Sequence, residues 1–530
     1  MQIFKALLNI LKKSEETPKQ ENNKNLSPHL QKNIEEIQDL FQGAQDLLFK
    51  EFYLGGRPSW KVAVIYLESM VDENIVHQYI TEPLMIWSRP AFAEELMDED
   101  VIKEAASKLI PAQDMQEITT LNDIVINLLE GNTVFLIDGS RSALAVEAKG
   151  WPSRGVQEPM VEVTLRGPRH SFTETLMDNV ALIRRHLKNA GLVNEHMSIG
   201  RKSKTDIRVM YLRDIAQPEI VNEVKRRLES IDTDLITDSG VIQNLITDHP
   251  YSLFPTIRST ERPDTAASEL NEGRVVVLVD NTPFALVMPI TFYTIFTSPD
   301  DHYGNFHVAS TLRGVRFSGF VISTFFTPFY VALSSFHQEL IPLPLLLNIA
   351  ATQQGVPFPI GLSAFLAELV LEILREAGVR LPQQFGPAVS IVGALVLGQA
   401  AIQAGFISPG VVIVVTTAAI ASFATPRTEA AISFRLLRFP FLFLAMALGF
   451  YGIAFGVVIM IYHLASLKSF GIPYYDMYTP GRVSTLGEGI IFLPEQVRRP
   501  VRPGGFPDRI KRGAPPDPRD PKEGGNKEEG

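Results

Sequence analysis

Charged residues vanish from four long stretches in the second half of the chain. Phe317–Gln338, Leu340–Ala367, Leu381–Pro426 and Phe439–Tyr462 contain no Asp, Glu, Lys or Arg. A helix needs about 20 apolar residues to cross a bilayer. The 46 residues of the third stretch therefore hold two such helices, separated by the turn signal Ile407-Ser-Pro-Gly410. Up to about Val279 the pattern differs, with short β-branched runs alternating with helical segments and frequent charges. The chain reads as an α/β soluble half made of two similar lobes, followed by an all-α polytopic membrane domain.

The two lobes follow from an internal repeat. Lys61-Val-Ala-Val-Ile-Tyr-Leu-Glu68 returns as Asp206-Ile-Arg-Val-Met-Tyr-Leu-Arg213, each followed by a helical segment, Glu73–Ile80 and Pro218–Ile231. Glu130-Gly-Asn-Thr-Val-Phe-Leu-Ile-Asp138 returns as Glu272-Gly-Arg-Val-Val-Val-Leu-Val-Asp280, at nearly the same offset. A second strand follows in each copy, Ala143–Val146 and Ala285–Met288. These strings predict strands at about 61–67, 133–138, 206–212 and 274–280. Between the copies, Phe172–Ala190 reads as a helix carrying Arg184, Arg185 and Lys188, either a solvated basic face or a coupler between lobes. The second copy runs on into Pro289–Thr297, which reads as an apolar, surface-seeking segment handing the chain to the membrane.

Within the membrane half, Arg313 and Arg316 precede a span at 318–336, and Arg427, Arg435 and Arg438 flank the return end of a hairpin made by 387–404 and 409–425. Positive residues beside spans favour the cytoplasm, which places the soluble half inside the cell. Leu340–Gly355 contains Pro342 and Pro344 and reads as re-entrant or interfacial, while Pro359–Leu374 returns inward. Phe439–His463 is either one long span or a helical hairpin broken at Gly449–Gly452, and the hairpin keeps the tail inside. The expected organisation is an amphipathic stretch and linker (1–34), lobe 1 (35–165), lobe 2 with its coupling helix (166–282), the membrane domain (283–470) and a Pro-rich tail (471–530). Met1–Leu11 reads either as a helix packed on its own domain or as one lying on the membrane surface.

Composition narrows the function classes. A formal charge of −10 argues against nucleic acid as a partner. The absence of cysteine excludes disulfides, thiolate metal sites and Cys nucleophiles. His302 and His307, the closest histidine pair, have poor spacing for a metal, and no nucleotide-binding glycine loop or nucleophile elbow points to an enzyme or a cofactor.

Polar residues inside the apolar stretches are the candidate site. Glu368 and Glu372 are four apart on one helical face, either an acidic pair facing a pore or a structural pair, with Glu372 bridged to Arg375. Gln399 and Gln403 are likewise four apart, and their face extends back through Val396 and Val392. The same helix carries Gly393, Gly398, Ala400, Ala401 and Ala404, small residues that allow close helix approach. An apolar-then-amide stripe on such a helix suits a narrow pore between identical subunits, with Leu395 and Ile402 as the alternative face. The competing reading of the amides is an interhelical hydrogen bond within a packed bundle.

Several strings resemble the A subunit of GerA-type spore germinant receptors. They are Thr260-Glu-Arg-Pro-Asp264, Gly273–Pro283, Glu372–Pro382, Ile391–Ala401 and His463–Pro473, within a resemblance running from about Phe52 to Asp476. The resemblance implies a complex in the spore inner membrane with a transporter-like B subunit and a lipid-anchored C subunit. It implies that small nutrients trigger germination through the complex, with germinant bound by the B subunit, and that A subunits self-associate around a nutrient-gated ion channel. Ser363 departs from the acidic residue the family carries after the Pro357-Phe-Pro359 string, so the resemblance does not support an acidic ring at Glu368 and Glu372. A non-conducting scaffold relaying a partner's state is the alternative function.

Overall fold

Each repeated string closes the same local circuit in its own lobe. In the computed structural model, which describes residues 24–53, 61–82, 115–150, 158–164, 166–380 and 398–475, the Leu30 N–H donates to Asp138 Oδ1 at 2.9 Å and the Leu176 N–H to Asp280 Oδ1 at 3.3 Å. Asn33 makes paired bonds with the Ser27 backbone, as Asn179 does with the Thr173 backbone. Gly131 and Gly273 take φ of +81° and +86°, a conformation that suits glycine at a helix C-terminus. The Glu-Gly…Asp string is thus a helix stop, a strand and a cap for a distant helix.

Lobe 1 contains α1 (Leu30–Leu40), β1 (Leu47–Tyr53), β2 (Lys61–Leu67), α2 (Glu73–Ile75, continuing as a π-helical turn over Val76–Thr81), β3 (Met115–Ile118), α3 (Leu121–Leu129), β4 (Asn132–Ile137) and β5 (Ala143–Glu147). Lobe 2 contains α4 (Leu176–His186), β6 (Leu192–Ile199), β7 (Thr205–Leu212), α5 (Pro218–Glu229), α6 (Ser239–Ile246), β8 (Arg258–Thr260), α7 (Pro263–Asn271), β9 (Val275–Val279) and β10 (Ala285–Met288). The strand orders are β1-β2-β4-β5-β3 and β6-β7-β9-β10-β8, the same permutation, and every pairing is antiparallel. The four expected strands appear as β2, β4, β7 and β9. Antiparallel pairing is the detail that the alternation of strand and helix did not specify.

The central strands are apolar on both faces because helices cover both. In lobe 1, Ala63, Ile65, Val134 and Leu136 meet α1 and α3, while Val62, Val64, Tyr66 and Phe135 meet Val71 and Val76. In lobe 2, Met210, Val276 and Leu278 meet α4 and α7, while Val209, Val275 and Val277 meet α5 and α6. This second face of lobe 2 also receives Phe470, which lies beyond the last membrane helix.

A short α8 (Asp300–Tyr303) leads into the helical half: α9 (Phe306–Phe336), α10 (Leu343–Gln353), α11 (Ile360–Arg380), a helical segment at 398–403, α12 (Pro409–Ser422), α13 (Thr428–Leu448) and α14 (Phe450–Ser466). By length and apolarity α9 and α13 qualify as spans, and α10, α12 and α14 are shorter apolar helices. At 1.5 Å per residue α10 is about 16 Å long, too short to cross, in keeping with a re-entrant or interfacial segment.

Two expectations change here, and one that was left open is settled. Arg313 and Arg316 do not precede the first helix of the bundle, and Arg435 and Arg438 do not stand outside one. All four lie within continuous helices, α9 and α13, because acidic partners compensate their charge. Of the two readings of the apolar run from Phe439 the helical hairpin is the observed one: the chain reverses at Gly449 (φ +61°), where a Cβ would meet Phe336 Cβ and His337 Cε1 at 2.9 Å. Pro289–Thr297 does not seek a surface. Phe292, Ile295 and Phe296 are buried with Phe320, Phe434 and Leu464 in an aromatic cluster that joins lobe 2 to the bundle.

After α14 the chain forms a small hairpin, β11 (Lys468–Ser469) and β12 (Ile472–Pro473), that straps back onto lobe 2. The Phe470 N–H donates to Asp248, Ser469 Oγ donates to the Thr256 carbonyl, and the Arg227 guanidinium lies 4.3 Å from the Phe470 ring centroid. Lobe 2 therefore grips the start and the end of the membrane domain. The N-terminal amphipathic stretch, the first part of the linker and the tail from 476 lie outside the described residues.

Candidate functional site

Four helices of the helical half converge on one buried ion pair. Arg438, on α13, donates to the Glu368 carboxylate of α11, to the Ser323 carbonyl of α9 at 2.5 Å and to the Ala418 carbonyl of α12 at 3.5 Å. Thr327 Oγ1 of α9 donates to the other Glu368 oxygen at 2.8 Å. Both charged residues are only 4% exposed. A charge at bilayer depth costs about 2.5–3.5 kcal/mol on insertion scales, so two charges are retained there only when they satisfy one another. The pair ties α9, α11, α12 and α13 into one register, and sliding any helix past its neighbours must first break it.

Glu372, one turn along α11, is half-buried and lies 3.4 Å from Arg375 and 3.7 Å from Arg435. Glu368 and Glu372 share a face, as their spacing predicted, and that face meets arginines of α13. Ser363, on the same helix, is buried. On the expected pore helix, Val392, Leu395 and Val396 lie outside the described residues. Gln399 and Gln403 stand in the helical segment 398–403 with exposed side chains, and Ile402 is half-buried. Among the described residues no group of three or more His, Asp or Glu could hold a metal.

Two charged clusters stand where lobe 2 meets the bundle, joined by one hydrogen bond from Tyr303. Asp301 of α8 accepts from Arg313 Nε at 2.8 Å and from Arg316 Nη1 at 2.7 Å, all three buried at the foot of α9. The Thr260–Asp264 string staples the segment between the lobes. Glu261 accepts from the Val161 and Glu162 N–H groups at 2.6 Å, and Arg262 donates to Thr164 Oγ1, the Pro168 carbonyl and Asp264. Tyr303 Oη donates to the other side of the same cluster, at Asp264 Oδ2 (2.6 Å). Burial pushes the Asp264 carboxyl up, but the Arg262 and Tyr303 hydrogen bonds hold it below its ordinary value. Arg427, Glu429, Glu162 and Arg258 line a cavity of about 60 Å³ between lobe 2 and the start of α13.

The lobes are joined by α4. Arg184 donates from Nε and Nη2 to the two oxygens of Asp46 in lobe 1, at 2.7 and 2.6 Å, and Ser69 Oγ donates to Asp46 at 2.8 Å. Of the two readings of the basic helix the coupler is the observed one. At the end of α4, His186 Nε2 lies 2.7 Å from His170 Nε2, with ring centroids 5.0 Å apart and ring planes 18° from parallel. That centroid distance equals the N–N gap plus one ring radius on each side, so the rings meet end to end in a linear N–H···N bond. Such a bond survives one added proton and is lost when both rings carry two.

Burial pushes both imidazoles below their usual value; Asp264 opposes this, while Arg185 and Arg262 reinforce it. An unfolded histidine titrates near pH 6.5. The folded pair binds protons less readily, so its stabilisation is complete above that pH and is lost as the pH falls below it. Thermal unfolding of the purified chain should show a melting temperature that declines modestly from pH 6.5 to 5.5. His170→Ala/His186→Ala should flatten that interval, and an unchanged slope would remove the pair from the account.

The signals that sequence reasoning missed were Asp301, Glu261 and the partnership of Arg438 with Glu368. The last had a visible trace, since Arg435 and Arg438 stand three apart at the edge of an apolar run.

Comparison with known proteins adds the following. The family model described as Bacillus/Clostridium GerA spore germination protein matches residues 35–503. Spore germination protein KA of Bacillus subtilis (strain 168) is 42% identical over 88% of this chain and 85% of that protein. Spore germination protein B1 of the same organism is 36% identical over 89% of this chain and 97% of its own length. Spore germination protein GerLA of Bacillus cereus is 36% identical over 88% and 93%. The crystal structure of the N-terminal domain of the A subunit of the Bacillus megaterium spore germinant receptor GerK3 aligns with 51% of this chain and 99% of that one, at 28% identity and a TM-score of 0.40.

Proposed function

Since the chain belongs to the GerA family of spore germination proteins, the A subunits of germinant receptors and not enzymes, we propose that it self-associates in the spore inner membrane around a nutrient-gated ion channel. The observation that carries this reading is the exposure of Gln399 and Gln403, two amides one turn apart in an otherwise apolar stretch. At bilayer depth an exposed amide requires water or a partner, and a pore between subunits supplies both. Val392 and Val396 continue the stripe as a dry constriction, with Leu395 and Ile402 as the face presented by a slightly rotated helix. Glu368 and Glu372 serve as structural anchors, given their arginine partners.

The receptor's transporter-like B subunit and lipid-anchored C subunit are the partners, and the lobes face the spore core. Arg427, just before α13, and Lys468, just after α14, support that side, and the return of the β11–β12 strap to lobe 2 keeps the last helix end on it. A non-conducting relay is favoured by one observation, the polar ties of lobe 2 to the helical half, from Tyr303 to Asp264, Gln243 to Glu429 and Ser252 to His463.

Ion efflux from spores or proteoliposomes carrying the receptor separates the two. Val396→Ser should wet the constriction and raise nutrient-independent efflux several-fold, whereas Val396→Phe should suppress the nutrient response. If substitutions on both faces leave efflux unchanged while the complex assembles, the relay reading replaces the channel.

A further inference from the structure

Lobe 2 exposes three apolar side chains close to where it meets the helical half. Tyr251 is 100% exposed, Leu245 53% and Leu253 39%. All three belong to the end of α6 and the loop that follows it, and this stretch touches both ends of the last helical hairpin. Gln243 Nε2 donates to Glu429 Oε1 in the first turn of α13 at 3.4 Å, and Ser252 Oγ lies 2.9 Å from His463 Nε2 in the last turn of α14. Phe254, next in the loop, is buried among Phe292, Leu464 and Leu467. The loop is thus fixed at the level where the chain enters and leaves the apolar helices.

Two neighbours share that level. Tyr462, 76% exposed, ends the apolar surface of α14, and Lys468, exposed, follows it. Tyrosine at the boundary of hydrocarbon and water places its ring among acyl chains and its hydroxyl among headgroups, and lysine adds attraction to anionic headgroups. A loop bearing Tyr251 and Leu253 beside such a boundary is suited to the same layer.

We infer that the α6–β8 loop of lobe 2 is a membrane-surface anchor, with Tyr251 and Leu253 inserted into the headgroup layer of an anionic bilayer. The lobe then rests on the lipid instead of standing clear of it. Any motion of lobe 2 relative to the bundle must draw these side chains out of the interface, so the bilayer itself resists the motion. The inference rests on the membrane reading of the helical half, and its test is built to tell the two apart.

The chain has no native cysteine, so single cysteines can be placed and labelled with an environment-sensitive fluorophore. The full chain would be reconstituted in vesicles of phosphatidylethanolamine and phosphatidylglycerol that contain lipids with quenchers at headgroup or mid-chain depth. Tyr251→Cys is the probe, Ile459→Cys on exposed α14 surface reports the bilayer interior, and Asn74→Cys on lobe 1 reports bulk water. The expected result is headgroup-depth quenching at 251 several-fold stronger than at 74, together with mid-chain quenching at 459. Quenching at 459 with none at 251 overturns the anchor while leaving the membrane reading intact. A blue-shifted but unquenched probe at 251 means that protein covers the loop, and also overturns it. No quenching at either position rejects the membrane reading and the anchor with it.

Discussion

Glu368→Ala or Arg438→Ala alone should destabilise the helical half by about 3–5 kcal/mol, the usual consequence of stranding one buried charge. Both side chains are 4% exposed, and among the described residues the carboxylate accepts hydrogen bonds from Arg438 and Thr327. Removing the arginine leaves an anion among apolar helices, and removing the glutamate leaves a cation that, among the described residues, keeps the Ser323 and Ala418 carbonyls. The sharper expectation concerns the double variant. Replacing both members with apolar residues of similar volume is often neutral or stabilising, so Glu368→Met/Arg438→Met should recover most of what either truncation loses. Thermal unfolding of the three variants, purified in one detergent, gives the order directly. Single variants as stable as the parent would mean that the pair is solvated, and its role in holding the register of four helices would have to be abandoned.

The soluble half was legible because its information is local. The Glu130–Asp138 and Glu272–Asp280 strings each place a helix-stopping glycine, a strand and a capping aspartate within nine residues, and repetition exposes that grammar. Strand order was not legible. The pairing of β3 with β5, and of β8 with β10, brings together segments that no short-range pattern relates.

In the membrane half, the apolar deserts marked the right segments but misplaced their ends. A hydropathy window sees a charge and not its partner. Arg313 and Arg316 therefore looked like the border of a span, although Asp301 lets α9 run 31 residues through them. Arg438 was read as a vote on topology for the same reason, since its partner lies 70 residues away in the chain. The shared face of Glu368 and Glu372 was legible from their spacing alone, whereas what that face meets depends on how α11 packs against α13.

Severing Arg184 from Asp46 should have the largest effect in the soluble half, again about 3–5 kcal/mol for Arg184→Ala or Asp46→Ala. Arg184 is 1% exposed and Asp46 is fully buried, and their bidentate bond crosses from lobe 2 to lobe 1. Around it the lobes also share backbone bonds from the Gln45 N–H to the Asn194 carbonyl and from the Asn194 N–H to the Gly43 carbonyl, bonds from Arg213 to the Asp39 and Gln42 carbonyls, and the packing of Ala181 of α4 into the lobe 1 cluster. Arg184→Lys should fare nearly as badly as Arg184→Ala, because an ammonium cannot supply two parallel bonds. Burial alone would push the Asp46 carboxyl up, yet the charge and hydrogen bonds of Arg184, with Ser69, hold it below its ordinary value. An aspartate lowered in this way contributes stability that is present above its unfolded value near 3.9 and is lost as the pH falls through the folded one. The apolar clusters of the two sheets lose no side chain in these variants, although Ala181 and Ala190 of lobe 2 pack into that of lobe 1. The change should therefore register between the lobes. Hydrogen exchange of the full chain should accelerate at 43–46 and 192–196 while β2, β4, β7 and β9 stay protected. Uniform acceleration across both sheets would instead make the pair part of one undivided core, and the lobes would cease to be separable units.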